Sequence, residues 1–421
     1  MASILDLERF NPWWKTGSIR KDWLKEYKRD QYFEVEKYLD KKQILLIWGL
    51  RRVGKTTIMY QIASHLLTSC DQKLVFYFSF DEIAFELKDI LESYQKFILH
   101  KTFEEIQERV YIFLDEIQKV ADWENKIKTY YDLYPNIKFF ISGSASVSLR
   151  KRSHESLAGR ILDFLIQPLS FKEFLEMSGR DVSKIKASPD IYQREILPLF
   201  YRYLKYGTFP ELVQEEDEEF ARKYIFNNVI ERIIYKDLPA EFEIKDVELL
   251  KTLVYIVGKN PGMIVHYNSI AKDLGRDQRT IANYFHYLEF GLLIKFIHNY
   301  RGSPIASARK QKKVYFSTPN IAFSFHQNFE EVLPKMLENI IANQTDAQFF
   351  YRNGFEVDFI IPKEDTLDAI EVKRKGKDQQ QLRKLQAKFR EKAGVLITVD
   401  GEYEDEFTIP VWKFLLGIRK K

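Results

Sequence analysis

The sequence feature that most constrains the fold is the stretch of residues 44–57, ILLIWGLRRVGKTT. Residues 44–48 are all apolar, which is typical of a strand that is buried on both faces. The pattern G-x-x-x-x-G-K-T follows directly, and apolar residues at helical spacing come after it. A strand, a glycine loop and a helix in this order predict a phosphate-binding loop, because loop N–H groups and a helix N-terminus can surround an anion.

The loop predicts a role for each of its polar side chains. Lys55 is expected to reach the β- and γ-phosphates of a nucleotide, and the Thr56 hydroxyl is expected to bind Mg²⁺. The residues predicted to contact the nucleotide are Gly49, Arg51, Arg52, Val53, Gly54, Lys55, Thr56 and Thr57. An ordinary glycine turn is the alternative, and the flanking strand and helix make it the less favoured one.

Length and composition limit the class of protein. A chain of 421 residues exceeds what one hydrophobic core accommodates, so roughly two to four domains are expected. The residues are 45% hydrophobic and 30% charged, as in soluble globular proteins, and no apolar run is long enough to span a membrane. A net charge of +4, from 65 basic and 61 acidic residues, neither demands nor excludes nucleic acid. The single cysteine, Cys70, excludes an internal disulfide and suits a cytoplasmic protein.

A second apolar run, residues 110–114, ends in the acid pair Asp115 and Glu116. Downstream of a phosphate-binding loop, this pattern predicts that Asp115 holds Mg²⁺ and that Glu116 polarises the attacking water. Asp81, which follows another apolar run, is the alternative acid. Ser142 ends the apolar run of residues 137–141 and is the expected contact for the γ-phosphate or the water.

Three arginines, Arg150, Arg152 and Arg160, are candidates for a cation supplied to the nucleotide of the same chain or of a neighbouring one. For Arg150 and Arg152, a solvated basic loop is an equally favoured interpretation. The sequence leaves open whether Arg160 acts within its own chain.

These segments, together with the Asn-Pro-Trp-Trp arm at residues 11–14, resemble the archaeal branch of the AAA+ ATPases. The resemblance rests on GLRRVGKTT, FLDEIQ, ISGSAS, SLAGR and QPLSFKEF, and it continues through residues 206–211 to the C-terminus. It implies ATP and Mg²⁺, and an α/β fold in which a P-loop AAA+ core carries a helical lid, a winged-helix domain and a restriction-endonuclease-like domain. The expected ranges are 1–30 for an arm, 31–168 for the core, 169–245 for the lid and connecting helix, 246–320 for the winged helix and 321–421 for the last domain.

Residues 270–275 and 280–288 read as two short helices, and residues 292–297 and 314–316 read as a hairpin. This order predicts a winged helix. The residues expected to contact DNA are Arg276, Gln278, Arg279 and Asn283 on the second helix, and the basic side chains Arg301, Arg309, Lys310, Lys312 and Lys313 at the hairpin tip. The alternative is a winged helix that only packs against other domains.

Glu338 falls on a predicted helix, Asp358 on a strand, and Glu371 and Lys373 on one face of the next strand. Nucleases of the restriction-endonuclease type use this order, with carboxylates around a second Mg²⁺ or Mn²⁺ and a lysine that orients water. The alternative is a binding or structural module in which Lys373 neutralises the acids as an ion pair.

Two functions are consistent with these patterns. The favoured one is an ATP-driven enzyme that acts on DNA, with a homo-oligomer as a candidate assembly. The other is a nucleotide-controlled switch whose C-terminal domains bind a protein or DNA partner without chemistry on it. A phosphotransferase for small molecules is disfavoured, because no compact substrate-pocket motif accompanies the acid pair.

Overall fold

The computed structural model describes residues 2–81, 85–144, 156–301, 311–345, 347–362, 367–374, 379–389, 395–398 and 408–418. The chain forms two compact units, Met1–Gln167 and Pro168–Lys421. The division lies next to the boundary expected after residue 168. The boundaries expected after residues 245 and 320 both lie inside the second unit.

The first unit is built on a five-stranded sheet whose strand pairs are all parallel. Its strands are β1 (Ile44–Gly49), β2 (Val75–Ser79), β3 (Val110–Asp115), β4 (Ile137–Ser144) and β5 (Ile161–Ile166), in the order β2-β3-β4-β1-β5. Every residue of β1 is buried, as a central parallel strand requires. The α/β P-loop core predicted from the sequence is therefore confirmed.

Six helices of this unit are described: α1 (Ile4–Glu8), α2 (Trp13–Thr16), α3 (Asp30–Glu36), α4 (Lys55–Leu66), α5 (Leu87–Tyr94) and α6 (Trp123–Leu133). Helix α4 begins directly after Gly54. It buries Ile58, Ile62 and Leu66, the apolar residues at helical spacing in the sequence. This packing fixes the position of the helix N-terminus at the end of β1.

The N-terminal arm covers the open edge of the sheet at β2. The Asn11 carboxamide pairs with the backbone of Tyr77 as a strand would: its Nδ2 donates to Tyr77 O at 2.8 Å, and its Oδ1 accepts from Tyr77 N at 2.7 Å. The indole N–H groups of Trp13 and Trp14 both donate to Val75 O, at 2.9 and 3.0 Å. The arm thus satisfies backbone groups that an exposed edge strand would present to other chains.

The helices described in the second unit are α7 (Phe171–Met177), α8 (Val182–Ala187), α9 (Pro189–Arg202), α10 (Glu218–Ile225), α11 (Leu238–Glu241), α12 (Val247–Lys259), α13 (Tyr267–Asp273), α14 (Gln278–Phe290), α15 (Pro319–Phe323), α16 (Phe329–Gln344), α17 (Gln380–Phe389) and α18 (Val411–Leu415). Wider π-helical turns extend some of them, at Tyr203–Gly207, Phe226–Ile230 and Ile233–Asp237.

The π-helical turn at Tyr203–Gly207 explains a glycine of the sequence. A Cβ on Gly207 would lie 2.6 Å from the ring of Phe174, so only glycine allows the two segments to pack this closely. The Asn320 side chain donates to the carbonyls of Tyr203 and Leu204, at 3.0 and 2.7 Å. These carbonyls are therefore satisfied where the ordinary helical pattern is interrupted.

A seven-stranded mixed sheet completes the second unit. Its strands are β6 (Ile294–Asn299), β7 (Lys312–Phe316), β8 (Phe349–Arg352), β9 (Glu356–Pro362), β10 (Leu367–Lys373), β11 (Val395–Thr398) and β12 (Thr408–Pro410), in the order β12-β11-β10-β9-β8-β6-β7. The β6–β7 hairpin expected to be a wing is therefore continuous with the strands expected to form a separate nuclease-like domain. No helix in the described ranges is long and apolar enough to cross a membrane.

Candidate functional site

The phosphate-binding loop lies between β1 and α4, with two glycines in backbone conformations that other residues rarely adopt. Gly49 has φ +153° and Gly54 has φ +94°. A Cβ on Gly49 would lie 2.4 Å from the carbonyl oxygen of Ile166 on the neighbouring strand. Gly49 is thus required by the close approach of β5 as well as by the turn of the loop.

The ammonium group of Lys55 lies over the loop. Its Nζ is 3.1 Å from Gly49 O and 3.0 Å from Leu50 O, and the residue is only 6% exposed. Arg29, from the segment before α3, donates from Nη1 to Val53 O at 2.7 Å and fixes the other side of the loop. No local sequence pattern indicates a role for Arg29, because its partner is a backbone carbonyl 24 residues away.

The strand order brings the predicted Mg²⁺ ligands to one edge of the first sheet. β4 lies between β1 and β3, so the carboxyl ends of all three strands are adjacent. The Thr56 hydroxyl donates to Asp115 Oδ2 at 2.7 Å, and the Ser142 hydroxyl donates to Asp115 Oδ1. Thr56, Asp115 and Ser142 thus converge at the end of the phosphate-binding loop, where sequence reasoning expected them.

Asp115 is the electrostatic centre of this site. It is 4% exposed, and burial raises the pKa of its carboxyl; the negative charge of Glu116 raises it further. Hydrogen bonds from Ser142, Thr56 and Tyr77 oppose this shift without cancelling it. A buried carboxylate beside a hydroxyl is a hard oxygen-donor set that fits Mg²⁺.

Tyr77 is a residue of the site that sequence reasoning missed. Its hydroxyl donates to Asp115 Oδ2 at 2.8 Å, from the neighbouring strand β2. Burial, and then the charge of Asp115, raises the pKa of Tyr77 well above its ordinary value, so the phenol stays a donor. The available signal was the one hydroxyl in the run of residues 74–78, which is otherwise apolar.

Glu116 is held in a left-handed backbone conformation, with φ +55°. Its N–H donates to Asp115 Oδ1 at 3.1 Å, and Gln118 Nε2 donates to its Oε2 at 2.5 Å. Asp81, the alternative acid, instead forms an ion pair with Lys119 at the surface. Gln118 was not singled out from the sequence.

Arg160 does not lie at this site. It precedes β5, and its carbonyl accepts a hydrogen bond from Ile44 N, so it sits at the amino edge of the sheet. The length of the strands puts it about 20 Å from Gly49. Its guanidinium bonds both oxygens of Asp132, at 2.9 and 3.1 Å. A role of Arg160 at the nucleotide of its own chain is thus excluded; Arg150 and Arg152 lie outside the described residues.

The candidate DNA contacts on α14 are exposed. Gln278, Arg279 and Asn283 face solvent, and the exposed Arg276 pairs with Asp246 at 2.8 Å. In contrast, the assignment of Lys313 to an exposed wing is wrong, because the residue is 4% exposed.

The other basic residues expected at the hairpin tip have different surroundings. Lys312 is half-buried, with its Nζ 5.1 Å from the centre of the Phe296 ring, and Arg301 donates to Arg352 O. Arg309 and Lys310 lie outside the described residues.

The acids of the C-terminal strands lie around Lys313. Its Nζ is 2.6 Å from Glu356 Oε1 and 3.5 Å from Asp358 Oδ1. Glu338 accepts a hydrogen bond from the Tyr315 hydroxyl at 3.0 Å. The structure thus places Glu338 and Asp358 around a cation that the sequence reading had assigned elsewhere.

Burial and neighbouring acids raise the pKa values of Asp358 and of Glu371 on the next strand. Burial, together with the charge of Glu338, raises the pKa of Asp358 to about 6. Burial, together with the charge of Asp358, raises the pKa of Glu371 to about 8, and the nearby Lys373 lowers it. Within the described ranges, no three His, Cys, Asp or Glu side chains are arranged to hold a metal ion.

Comparison with protein families matches residues 41–175 to an AAA domain and residues 197–328 to a domain of unknown function. The first match spans all five strands of the first sheet. Two uncharacterized proteins of Methanocaldococcus jannaschii are similar: one is 27% identical over 96% of this chain and 92% of its own length. The other is 28% identical over 78% of this chain and 74% of its own.

Among solved structures, the Walker-type ATPase of Pyrococcus abyssi is 14% identical, covering 73% of this chain and 97% of its own, with a TM-score of 0.44. A structure of PCH-2 from C. elegans, also 14% identical, covers 39% of this chain and 43% of its own, with a TM-score of 0.24. The family match and the strand order agree on an AAA-type P-loop core.

Proposed function

We propose that the protein binds ATP with Mg²⁺ and hydrolyses it at the carboxyl edge of the first sheet. The observation that carries this proposal is the hydrogen bond between Thr56 and Asp115, the two residues expected to hold Mg²⁺. The match of residues 41–175 to an AAA domain supports it.

The side chains divide the work of hydrolysis. Lys55 neutralises the β- and γ-phosphates, and Ser142 donates to the γ-phosphate or the attacking water. Thr56 and Asp115 hold the metal ion, which when bound offsets the charge of the phosphate oxygens. Glu116 orients the attacking water and accepts its proton.

The test is to compare Lys55→Ala and Glu116→Gln with a control, Lys88→Ala, at an exposed lysine of the same unit. Lys55→Ala should lose both ATP binding and hydrolysis. Glu116→Gln should bind ATP normally and hydrolyse it about 100-fold more slowly. Normal ATP hydrolysis by Glu116→Gln would show that Glu116 is not the general base, and Asp81 would be tested next.

A second, finer part of the proposal is that the C-terminal unit is a DNA-binding module of the winged-helix type. Its support is that Gln278, Arg279 and Asn283 are exposed on α14, whose opposite side buries Ile281 and Phe285. Replacing Arg279 and Asn283 by Ala should weaken duplex DNA binding and remove any increase in ATP turnover caused by DNA. Equal DNA affinity of variant and wild type would favour a protein partner instead.

The expected second Mg²⁺ or Mn²⁺ is not supported by the residues present. The ammonium of Lys313 already lies beside Asp358 and neutralises the acid that would hold a metal ion. This favours the nucleotide-controlled switch, which acts on its partner without chemistry, over a nuclease. In this proposal the switch is a cytoplasmic protein. Arg160 can reach a nucleotide only in a homo-oligomer, where the nucleotide belongs to a neighbouring chain. Light scattering with and without ATP would detect such an oligomer.

A further inference from the structure

Lys313 is a buried lysine within an acidic cluster of the second unit. It contacts Glu356 and Asp358 directly, at 2.6 and 3.5 Å. Burial by itself would lower the pKa of Lys313, but the charges of Asp358, Glu338 and Glu356 outweigh it and raise the pKa. The side chain is therefore an ammonium ion.

The contact of Lys313 with Glu356 and Asp358 depends on strong curvature of the sheet. β7, which carries Lys313, is an edge strand, and β6 and β8 separate it from β9 in the order of the sheet. A lysine side chain cannot cross two flat intervening strands, about 14 Å in total, so the sheet must curl to bring β7 to β9. The ring of Tyr315, on the same face of β7 as Lys313, confirms this approach: its centre is 5.9 Å from that of Phe359 on β9.

A glycine outside the sheet makes this arrangement close-packed. Gly262 has φ +82°, and a Cβ there would lie 2.8 Å from the Tyr315 ring and 3.2 Å from Glu338 Oε2. Its N–H donates to Val314 O at 2.7 Å, which ties the segment to β7. Gly262 thus holds β7 in place beside Glu338, through the hydrogen bond to Val314 and the close packing on Tyr315.

The cluster contains more carboxyl groups than buried cations. Lys313 contacts Glu356 and Asp358 and interacts electrostatically with Glu338 and Glu371. Oε2 of the buried Glu371 has no hydrogen-bond partner among the described residues. The other basic residues near these acids are more exposed: Lys335 bonds Glu338 from a side chain that is 48% exposed, and Lys373 is half-buried. Lys313 is therefore the cation at the centre of the cluster.

We propose that Lys313 is the resident cation of this cluster, occupying the place that a divalent metal ion would take between Asp358 and Glu371. The wild-type cluster accordingly binds no divalent metal. Removing the ammonium leaves Asp358 and Glu371 with no buried cation between them, so a Mn²⁺ or Mg²⁺ ion held by these two carboxylates and water would offset their mutual repulsion.

The experiment uses the full chain with Asp115→Asn and no nucleotide, which removes metal binding at the first site. Lys313→Met is compared with Lys373→Met as the matched control, and with Lys313→Arg, which keeps the charge. Mn²⁺ binding is measured from the electron paramagnetic resonance signal of the free ion, and the Tm is measured in EDTA and in MnCl₂.

Lys313→Met should have a lower Tm in EDTA, recover it in MnCl₂, and bind Mn²⁺ at least about tenfold more tightly than the parent. The parent, Lys313→Arg and Lys373→Met should show no effect of Mn²⁺ on Tm. If Lys313→Met does not fold, Lys313→Met with Glu356→Gln removes one repelling charge and should show the same Mn²⁺ response.

Two results would overturn the proposal. One is Mn²⁺ binding by the parent that is lost on Asp358→Asn, which would mean that metal and lysine coexist. The other is a folded Lys313→Met variant, single or double, that shows no response to Mn²⁺. Neither result depends on ATP hydrolysis, so the proposed function stands or falls separately.

Discussion

The hydroxyl of Thr56 and the carboxylate of Asp115 are 2.7 Å apart, although 59 residues separate them in the chain. Thr56 lies in the first turn of α4 and Asp115 ends β3, and only the parallel order of the sheet brings those two ends together. The pair therefore links the phosphate-binding loop to the strand that ends in the acid pair.

Asp115→Asn should remove Mg²⁺-dependent ATP hydrolysis and also raise the stability of the metal-free protein. The pKa of Asp115 is raised on folding, so stability falls as pH rises through that pKa and the ionised carboxylate becomes buried. The gain in Tm of the variant over wild type should be present at pH 7 and vanish in acid, below the ordinary value of 3.8. A gain of the same size at all pH values would show that the charge of Asp115 is not its cause.

Tyr77→Phe should lower ATP turnover by about tenfold and raise the Mg²⁺ concentration needed for it. The variant removes one hydroxyl that orients Asp115 and leaves the ring packing intact. Tyr94→Phe is the matched control, because the hydroxyl of that buried tyrosine donates to the carbonyl of Lys73 instead. ATP turnover measured at varied Mg²⁺ concentration tests this. Equal turnover by the two variants would mean that the Tyr77 hydroxyl does not orient Asp115.

Gly49→Ala should destabilise the protein by more than about 3 kcal/mol, because its Cβ meets backbone that cannot move away. Gly159→Ala is the control: φ is +75° there and nothing lies within 4 Å of the added Cβ. Gly159→Ala should lower the free energy of unfolding by only about 1 kcal/mol, the cost of a left-handed backbone conformation for a residue other than glycine. Urea unfolding measures both, and similar losses would mean that the approach of Ile166 is not limiting.

Asn11→Ala should lower the free energy of unfolding by about 3 kcal/mol, since both the N–H and the carbonyl of Tyr77 lose their partner. Asn125→Ala, at an exposed position where the side chain bonds the nearby Asp122, should change the free energy of unfolding by less than about 0.5 kcal/mol. The Asn11 variant should also aggregate faster, because β2 is then an open edge. Light scattering at constant temperature tests this, and stable solutions of both variants would argue against it.

The phosphate-binding loop and the acid pair could be predicted because their chemistry is contiguous in sequence. Lys55 and Thr56 follow the glycines directly, and Asp115 follows an apolar run. Only the strand order, which no local pattern encodes, was needed to bring them together. Tyr77 could not be assigned, since its partner lies on another strand.

The differences have physical reasons too. Arg160 precedes its strand rather than following it, and residues before a parallel strand lie at the amino edge, away from the ligand. Lys313 looked like one of several basic residues at a hairpin tip. Its burial is set by the curvature of the whole sheet, which depends on residues more than 40 positions away, such as Asp358.

The contact of the arm with β2 also sets an order of events during synthesis. Asn11, Trp13 and Trp14 leave the ribosome more than 60 residues before their partners Val75 and Tyr77. Until β2 emerges, the two indole rings have no surface of this sheet to bury against, and the chain carries them exposed. Docking of the arm is therefore a late step in the assembly of the first sheet, and it occurs only once the edge strand is complete.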